Sequence, residues 1–160
     1  MQTLQGEFDG RDLKIAIVST RWNDEIVDRL VDGAVDVLTD CGVEEDDITL
    51  IKVPGAFELP LAVDRLADSG DFDGIVALGA VIRGDTPHFD FVAGECARGL
   101  SATALEYGVP VGFGVITADN AEQADARAQP EEDHNKGAEA ASAVVEMATL
   151  LRALEERSSS

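Results

Sequence analysis

Lysine is nearly missing from this 160-residue chain: Lys14, Lys52 and Lys136 are the only three, and with arginine they make 12 cations against 32 acidic residues, for a formal net charge of -20. A surface so negative repels phosphodiester backbones, which excludes nucleic acid as a partner. Histidine is almost as scarce, and neither His88 nor His134 has a second histidine or a cysteine at ligand spacing, so no metal site is expected. Cys41 and Cys96 are too few and too far apart for a disulfide framework and read as small hydrophobes. No apolar run is long enough to span a bilayer, and residues Met1 to Asp12 lack an apolar signal core, so the expectation is a cytoplasmic protein without membrane contact. Neither GxGxxG nor GxxxxGK[ST] occurs, which removes support for a dinucleotide cofactor or a P-loop nucleotide.

What is present is a core-forming composition, 45% hydrophobic, in a length that suits one domain over residues 1–160. Residues 1–12 read as an N-terminal arm and 158–160 as a tail that frays. The acids are dispersed over the helical patterns and form no acidic tail, which resembles proteins adapted to a very salty cytoplasm, where a Debye length of about 3 Å at 1 M salt suppresses self-repulsion. A halophilic source is therefore the expectation, with an acidic mesophilic protein as the alternative.

Short apolar runs alternate with helical periodicity along the whole chain. Strands are expected at Leu13 to Ser19, Ile48 to Val53, Gly74 to Ile82 and Val109 to Ile116, and helices at Asp24 to Cys41, Phe57 to Ala67, Asn120 to Ala128 and Lys136 to Glu155, with a further helix after Thr86. Repeated strand-helix units imply α/β architecture: a four-stranded parallel sheet between two helical layers. Asn23 or Asp24 should cap the first helix, and Gly42 and Gly70 should close the first and second in left-handed conformation. In the last helix Ala141, Val144, Val145, Ala148 and Leu151 form one apolar stripe, facing either the sheet or another subunit.

The run from Gly74 to Ile82 has no polar side chain, as suits a strand buried on both faces, and it ends in Arg83-Gly84-Asp85-Thr86-Pro87-His88. Beyond it, Phe89, Val92, Ala93, Cys96, Leu100 and Thr103 recur at helical steps. Thr86 followed by Pro87 reads as an N-cap and first helical residue. A phosphate can dock on the amides of Gly84, Asp85 and Thr86 at a helix N-terminus, beside an imidazole able to give and take a proton. Solvated loop residues are the plainer reading of Arg83 and His88.

Other strand ends supply further polar groups, as expected if the loops at one edge of the sheet share a site. Trp22, the only tryptophan, either stacks on a flat heterocycle or fills the core. Glu58 in Val53-Pro54-Gly55-Ala56-Phe57-Glu58-Leu59-Pro60 either accepts hydrogen bonds from a substrate or favours a helix start. Arg127 and Lys136 either neutralise a phosphate or pair with surface acids.

These loops together resemble the 6,7-dimethyl-8-ribityllumazine synthase family over roughly Gly6 to Arg152. The motifs that carry the resemblance are Arg21-Trp22-Asn23, Pro54 to Pro60, Gly79 to Phe91, Phe113 to Thr117, Asn120 to Ala124 with Arg127, and Asn135-Lys136-Gly137. It implies a flavodoxin-like lumazine synthase fold and the condensation of 5-amino-6-(D-ribitylamino)uracil with 3,4-dihydroxy-2-butanone 4-phosphate, without cofactor or metal. By that resemblance His88 transfers protons, Trp22 stacks on the pyrimidine, and Asn23, Ala56, Phe57 and Glu58 hold the ribityl chain and ring edges. Ala80, Val81 and Ile82 would line the ring pocket, Asp85, Thr86 and Arg127 would surround the phosphate, and Phe113, Arg127 and Lys136 would come from a neighbouring subunit. The implied partners are small-molecule substrates and copies of the chain, as a homopentamer, a decamer or a 60-subunit icosahedral shell.

Asp85 departs from the small neutral residue usual at its position and is expected to point outward. Residues 129–134 depart from the Gly- and Lys-containing turn of shell-forming relatives, which leaves the larger assembly open. Archaeal-type riboflavin synthase and a non-catalytic flavin-binding or shell protein are the competing readings; His88 and the Arg127 phosphate position argue against the first, and His88, Glu58 and Arg127 together against the second. Salt adaptation makes a direct prediction: the thermal midpoint rises between dilute buffer and molar salt, and equal midpoints contradict it.

Overall fold

The computed structural model describes residues 1–159, and its core is a four-stranded, wholly parallel sheet between two layers of helices. The strands are β1 (Ile15–Thr20), β2 (Ile48–Val53), β3 (Gly74–Ile82) and β4 (Val111–Ala118), in the spatial order β2-β1-β3-β4. The helices are α1 (Asp24–Asp40), α2 (Leu59–Ser69), α3 (His88–Tyr107), α4 (Ala121–Ala126) and α5 (Lys136–Ser159). That strand order is the flavodoxin-like one, in which the connection reverses direction between β1 and β3.

Burial explains the order. All six residues of β1, apolar up to Ser19 and Thr20, and the first seven of the wholly apolar β3 are buried, so these strands sit in the centre. The mixed strand β2 exposes Thr49, Leu50 and Lys52 at one edge, and β4 exposes Phe113 and Thr117 at the other. Alternate side chains feed two cores: Ile15, Ile17, Val76 and Leu78 pack with α1 and α5, while Ala16, Val18, Ile75 and Ala77 pack with α2 and α3. Each fully buried Leu or Ile contributes about 1.5–3 kcal/mol relative to exposure.

The apolar stripe of α5 is thereby assigned except at Leu151: Ala141, Val144, Val145 and Ala148 are buried in the α1 layer of the same chain, and Leu151 is half-buried outside it. Two glycines permit the close approach. A Cβ on Gly137 would overlap the Leu30 carbonyl of α1, and one on Gly112 would come within 2.6 Å of the Ala140 carbonyl oxygen of α5.

Several boundaries differ from expectation. β1 begins two residues late, and β4 begins only at Val111, because Pro110 has no amide to donate to the ladder even though its carbonyl accepts from Ile75. The segment Ala56–Glu58 is a 3-10 turn, so α2 starts only at Leu59 and runs on to Ser69. Asn23 does not cap α1 through its side chain; its φ of 61° turns that side chain away. α1 ends at Asp40 and α4 at Ala126, and α5 continues to Ser159, into the segment expected to fray; Ser160 lies outside the described residues. Gly42 and Gly70 are left-handed as expected, with φ of 100° and 75°.

Cys96 is fully buried on α3, and burial pushes its thiol up to about 11. Cys41, half-buried beyond the end of α1, is raised chiefly by desolvation and then by Glu132, Asp40 and Asp9. Both thiols remain protonated at pH 8. In Ellman titration at that pH Cys41 reacts slowly, Cys96 only after denaturation, and equally fast reaction of both in the native state contradicts the packing described.

Candidate active site

Because every strand runs the same way, the loops after β1, β2, β3 and β4 all emerge at one edge of the sheet. Trp22 from the first loop, Ala56, Phe57 and Glu58 from the second, and His88 at the start of α3 line one cleft of about 540 Å³. Trp22 is 73% exposed, which rules out the core alternative. Gly55 lies between the indole and the carboxylate: a Cβ there would meet Trp22 Cδ1 at 3.2 Å and Glu58 Oε2 at 3.3 Å. The Pro54-Gly55 turn thus lets a flat aromatic face and an acceptor approach each other.

The α3 wall of this cleft is His88, Phe91, Val92 and Glu95. Phe91 and Glu95 were not singled out from sequence, although their spacing of three and seven residues from His88 puts them on its helical face. Phe91 is exposed and, with Phe57 and Trp22, makes the cleft aromatic on three sides.

Asn23, Ala80, Val81 and Ile82 stand beside the cleft without lining it. Asn23 Nδ2 donates to the Ala80 carbonyl at 3.2 Å, tying the β1–α1 loop to the end of β3. Ala80 is buried, and Val81 and Ile82 are half-buried. Asp85 and Thr86 are exposed, and α3 starts at His88 with Pro87 in the capping position. Thr86 still behaves partly as expected, because its Oγ1 accepts a long 3.4 Å bond from the His88 amide. The main-chain amides of Gly84, Asp85 and Thr86 donate to no acceptor among the described residues.

Phe113, Arg127 and Lys136 lie elsewhere. They line a second cleft of about 450 Å³ beside edge strand β4, with His134 and Glu139. Phe113 is 40% exposed. Arg127 follows α4, whose first turn Asn120 caps by accepting from the Gln123 amide at 2.9 Å. Its Nη1 donates to the Gln123 carbonyl at 2.8 Å, and no carboxylate among the described residues pairs with it. Lys136 Nζ bonds Glu139 Oε1 at 3.2 Å. Eight of the anticipated residues are thus divided between two clefts, five in the first and three in the second, and the other six line neither.

The geometry of the second cleft depends on Asn135, which is 4% exposed. Its Nδ2 donates to the carbonyls of Arg29 and Gln129, both at 2.9 Å, and its Oδ1 accepts from the Ala138 amide at 3.0 Å, capping α5. The Lys136 amide donates to the Arg127 carbonyl at 2.8 Å, so the pin fixes both cations. Arg29 in turn pairs with Asp125 of α4. A third hollow, about 560 Å³, lies at the opposite edge of the sheet among Asp12, Lys14, Asp46, Asp47, Asp73 and Arg152, remote from the strand-end loops of both clefts. Among the described residues no His, Cys, Asp and Glu side chains converge to hold a metal ion, and no helix is long and apolar enough to cross a membrane.

Fold and clefts define an α/β protein of flavodoxin-like order with a ligand-sized, aromatic-walled cleft at the carboxyl edge of its sheet. The family description "6,7-dimethyl-8-ribityllumazine synthase" matches residues 12–152. A 6,7-dimethyl-8-ribityllumazine synthase of Nitratidesulfovibrio vulgaris strain Miyazaki F is 54% identical over 154 residues, covering 96% of this chain and 98% of the relative. Its counterpart from strain DP4 is 53% identical over the same shares. The chain belongs to the 6,7-dimethyl-8-ribityllumazine synthase family.

Replacing the Asn135 side chain would leave the Gln129 carbonyl and a helix-start amide without their partner and remove the second donor to the Arg29 carbonyl inside α1. Asn135→Ala should lower unfolding free energy by about 2–3 kcal/mol in urea titration, and a loss below about 0.5 kcal/mol contradicts the pin.

Proposed function

We propose that this protein catalyses the reaction for which its family is named, joining 5-amino-6-(D-ribitylamino)uracil to 3,4-dihydroxy-2-butanone 4-phosphate, in a site that two neighbouring subunits complete. The observation that carries the second half is the division of the anticipated residues: His88 stands in the cleft of Trp22 and Glu58, while Arg127, a cation without a carboxylate partner, stands in the separate cleft beside the sheet edge. Chemistry that needs proton transfer and phosphate departure at one substrate needs both. A cyclic homopentamer with a head-to-tail interface brings the β4 cleft of one subunit against the aromatic cleft of the next.

In this reading Trp22 stacks on the pyrimidine, Phe57 packs beside it, and the Glu58 carboxylate accepts hydrogen bonds from ribityl hydroxyls. Ala56 belongs to the same wall, and Asn23, through the Ala80 carbonyl, steadies the strand end formed by Ala80, Val81 and Ile82. The ring amine attacks the butanone carbonyl and water leaves as the imine forms. Abstraction of a carbon-bound proton then expels the phosphate, and ring closure releases a second water. His88 is the group placed to take and return those protons. The unpaired amides of Gly84, Asp85 and Thr86 receive the phosphate with the neighbour's Arg127, while Lys136 and Phe113 complete the wall. Asp85 contributes through its amide, its exposed carboxylate turned to solvent.

The protein is taken as one domain over residues 1–160, working in the cytoplasm of a salt-adapted cell, where screening lets five strongly acidic subunits associate. Incubating the purified protein with both substrates should produce lumazine absorbance and inorganic phosphate above the spontaneous rate; no excess of either refutes the activity. His88→Ala should lower kcat by about 10–100-fold, part of the acceleration surviving through approximation of the two substrates. Arg127→Ala should raise KM for the butanone phosphate about tenfold or more, and an unchanged KM removes Arg127 from the phosphate site.

A further inference from the structure

Arg83 is absent from both clefts, yet it is the most heavily engaged side chain of the segment that carries His88. Its amide donates to the Ala118 carbonyl at 2.8 Å, which continues the β3–β4 ladder by one residue. Its Nε donates to Asp119 Oδ1 at 2.9 Å, and Nη2 stands 3.6 Å from Asp90 Oδ1. The guanidinium carbon lies 4.5 Å from the centroid of the Phe89 ring. One planar cation thus touches the first turn of α3 at two consecutive residues and the β4–α4 turn at a third.

The two sides of this contact are unequally fixed. On the β4 side, the Asp119 amide donates to Gln123 Oε1 at 2.7 Å and the Gln123 amide to Asn120 Oδ1 at 2.9 Å, so the turn is braced by its own helix cap. On the α3 side, residues 83–88 are exposed, and a Cβ on Gly84 would meet nothing within 4 Å. The first fully buried side chain of α3 is Cys96, about two turns beyond His88. Between them Phe89, Val92 and Ala93 are only half-buried. A segment with so few buried contacts opens readily unless something outside it holds it.

We propose that Arg83 is a positioning residue for the condensation, clamping the first turn of α3, and with it the His88 imidazole, to the braced turn between β4 and α4. A lysine cannot replace it, because the clamp uses a planar face for Phe89 and separate nitrogens for Asp119 and Asp90. As an exposed ion pair it adds little to global stability, so its effect falls on local order and on the chemical step. The clamp rests on the functional reading only for its catalytic consequence.

Two measurements on the full chain separate the clamp from the function. In hydrogen exchange by mass spectrometry, Arg83→Met and Asp119→Asn should each speed exchange of the peptide covering residues 83–92 by about tenfold while the thermal midpoint stays within about 2 °C; wild-type exchange in both variants overturns the clamp whether or not the protein is active. In steady-state assays, Arg83→Met should lower kcat about tenfold with both KM values within about twofold, Arg83→Lys should not restore it, and the double variant should be no worse than Arg83→Met alone. An unchanged kcat, full rescue by lysine, or a rise confined to KM for the butanone phosphate overturns the positioning role, the last by making Arg83 a direct ligand. If the wild type shows no condensation, the functional reading fails alone, and exchange still decides the clamp.

Discussion

Parallel pairing of four short strands is the constraint on which the rest of this structure depends. Parallel strands require crossovers, the crossovers cover both faces, and the strands covered on both sides are apolar, β3 along its whole length and β1 up to its terminal Ser19 and Thr20. With polar side chains only at the end of β1, those strands deliver their chemistry where they end. Every carboxyl end therefore opens onto the same edge, and Trp22, Glu58 and His88, far apart in sequence, become walls of one cleft. The strand order adds a second consequence: β4 lies at the margin, so the residues carried beyond it, Arg127 and Lys136, face a different hollow.

Around this frame polar groups are used sparingly and in fixed places. Asn135 is a buried amide with its donors and acceptor satisfied, and it joins α1, the α4–α5 connection and the first turn of α5. Arg83 does a similar task in the open, where water weakens each contact and several partners are needed. Most other charges are solvated acids, whose mutual repulsion weakens as salt screens it. Arg127 shares its lack of a carboxylate partner with Lys14, Arg21, Lys52 and Arg65 among the described residues, and what sets it apart is its place in the second cleft beside Phe113 and Lys136.

Much of the fold was legible because apolar periodicity records burial directly. β2 and β3 occupy the residues that pattern marks, and Gly42 and Gly70 end helices where a left-handed residue is needed. Some local details were not legible: β4 starts only at Val111, past the amide-less Pro110, and Asn23 turns to Ala80 when a helix cap was expected of it. In the site, each residue type announced its chemistry, but which cleft it joins is a property of strand order. Trp22 needed the structure to decide between core and exposed wall. Phe91 and Glu95 were available from their spacing to His88, whereas the pairing of Arg83 with Asp119 spans 36 residues and leaves no periodic trace.

The central claim is that one subunit's His88 cleft works with the next subunit's Arg127 cleft, and subunit complementation tests it most directly. Arg127→Ala supplies an intact His88 side, and His88→Ala an intact Arg127 side. Co-refolded in equal amounts, they should regain activity above either parent, approaching about one interface in four if mixing around the ring is random. A mixture that shows no more than the average of its two parents, although mass spectrometry finds the subunits together in one ring, contradicts a site shared between chains.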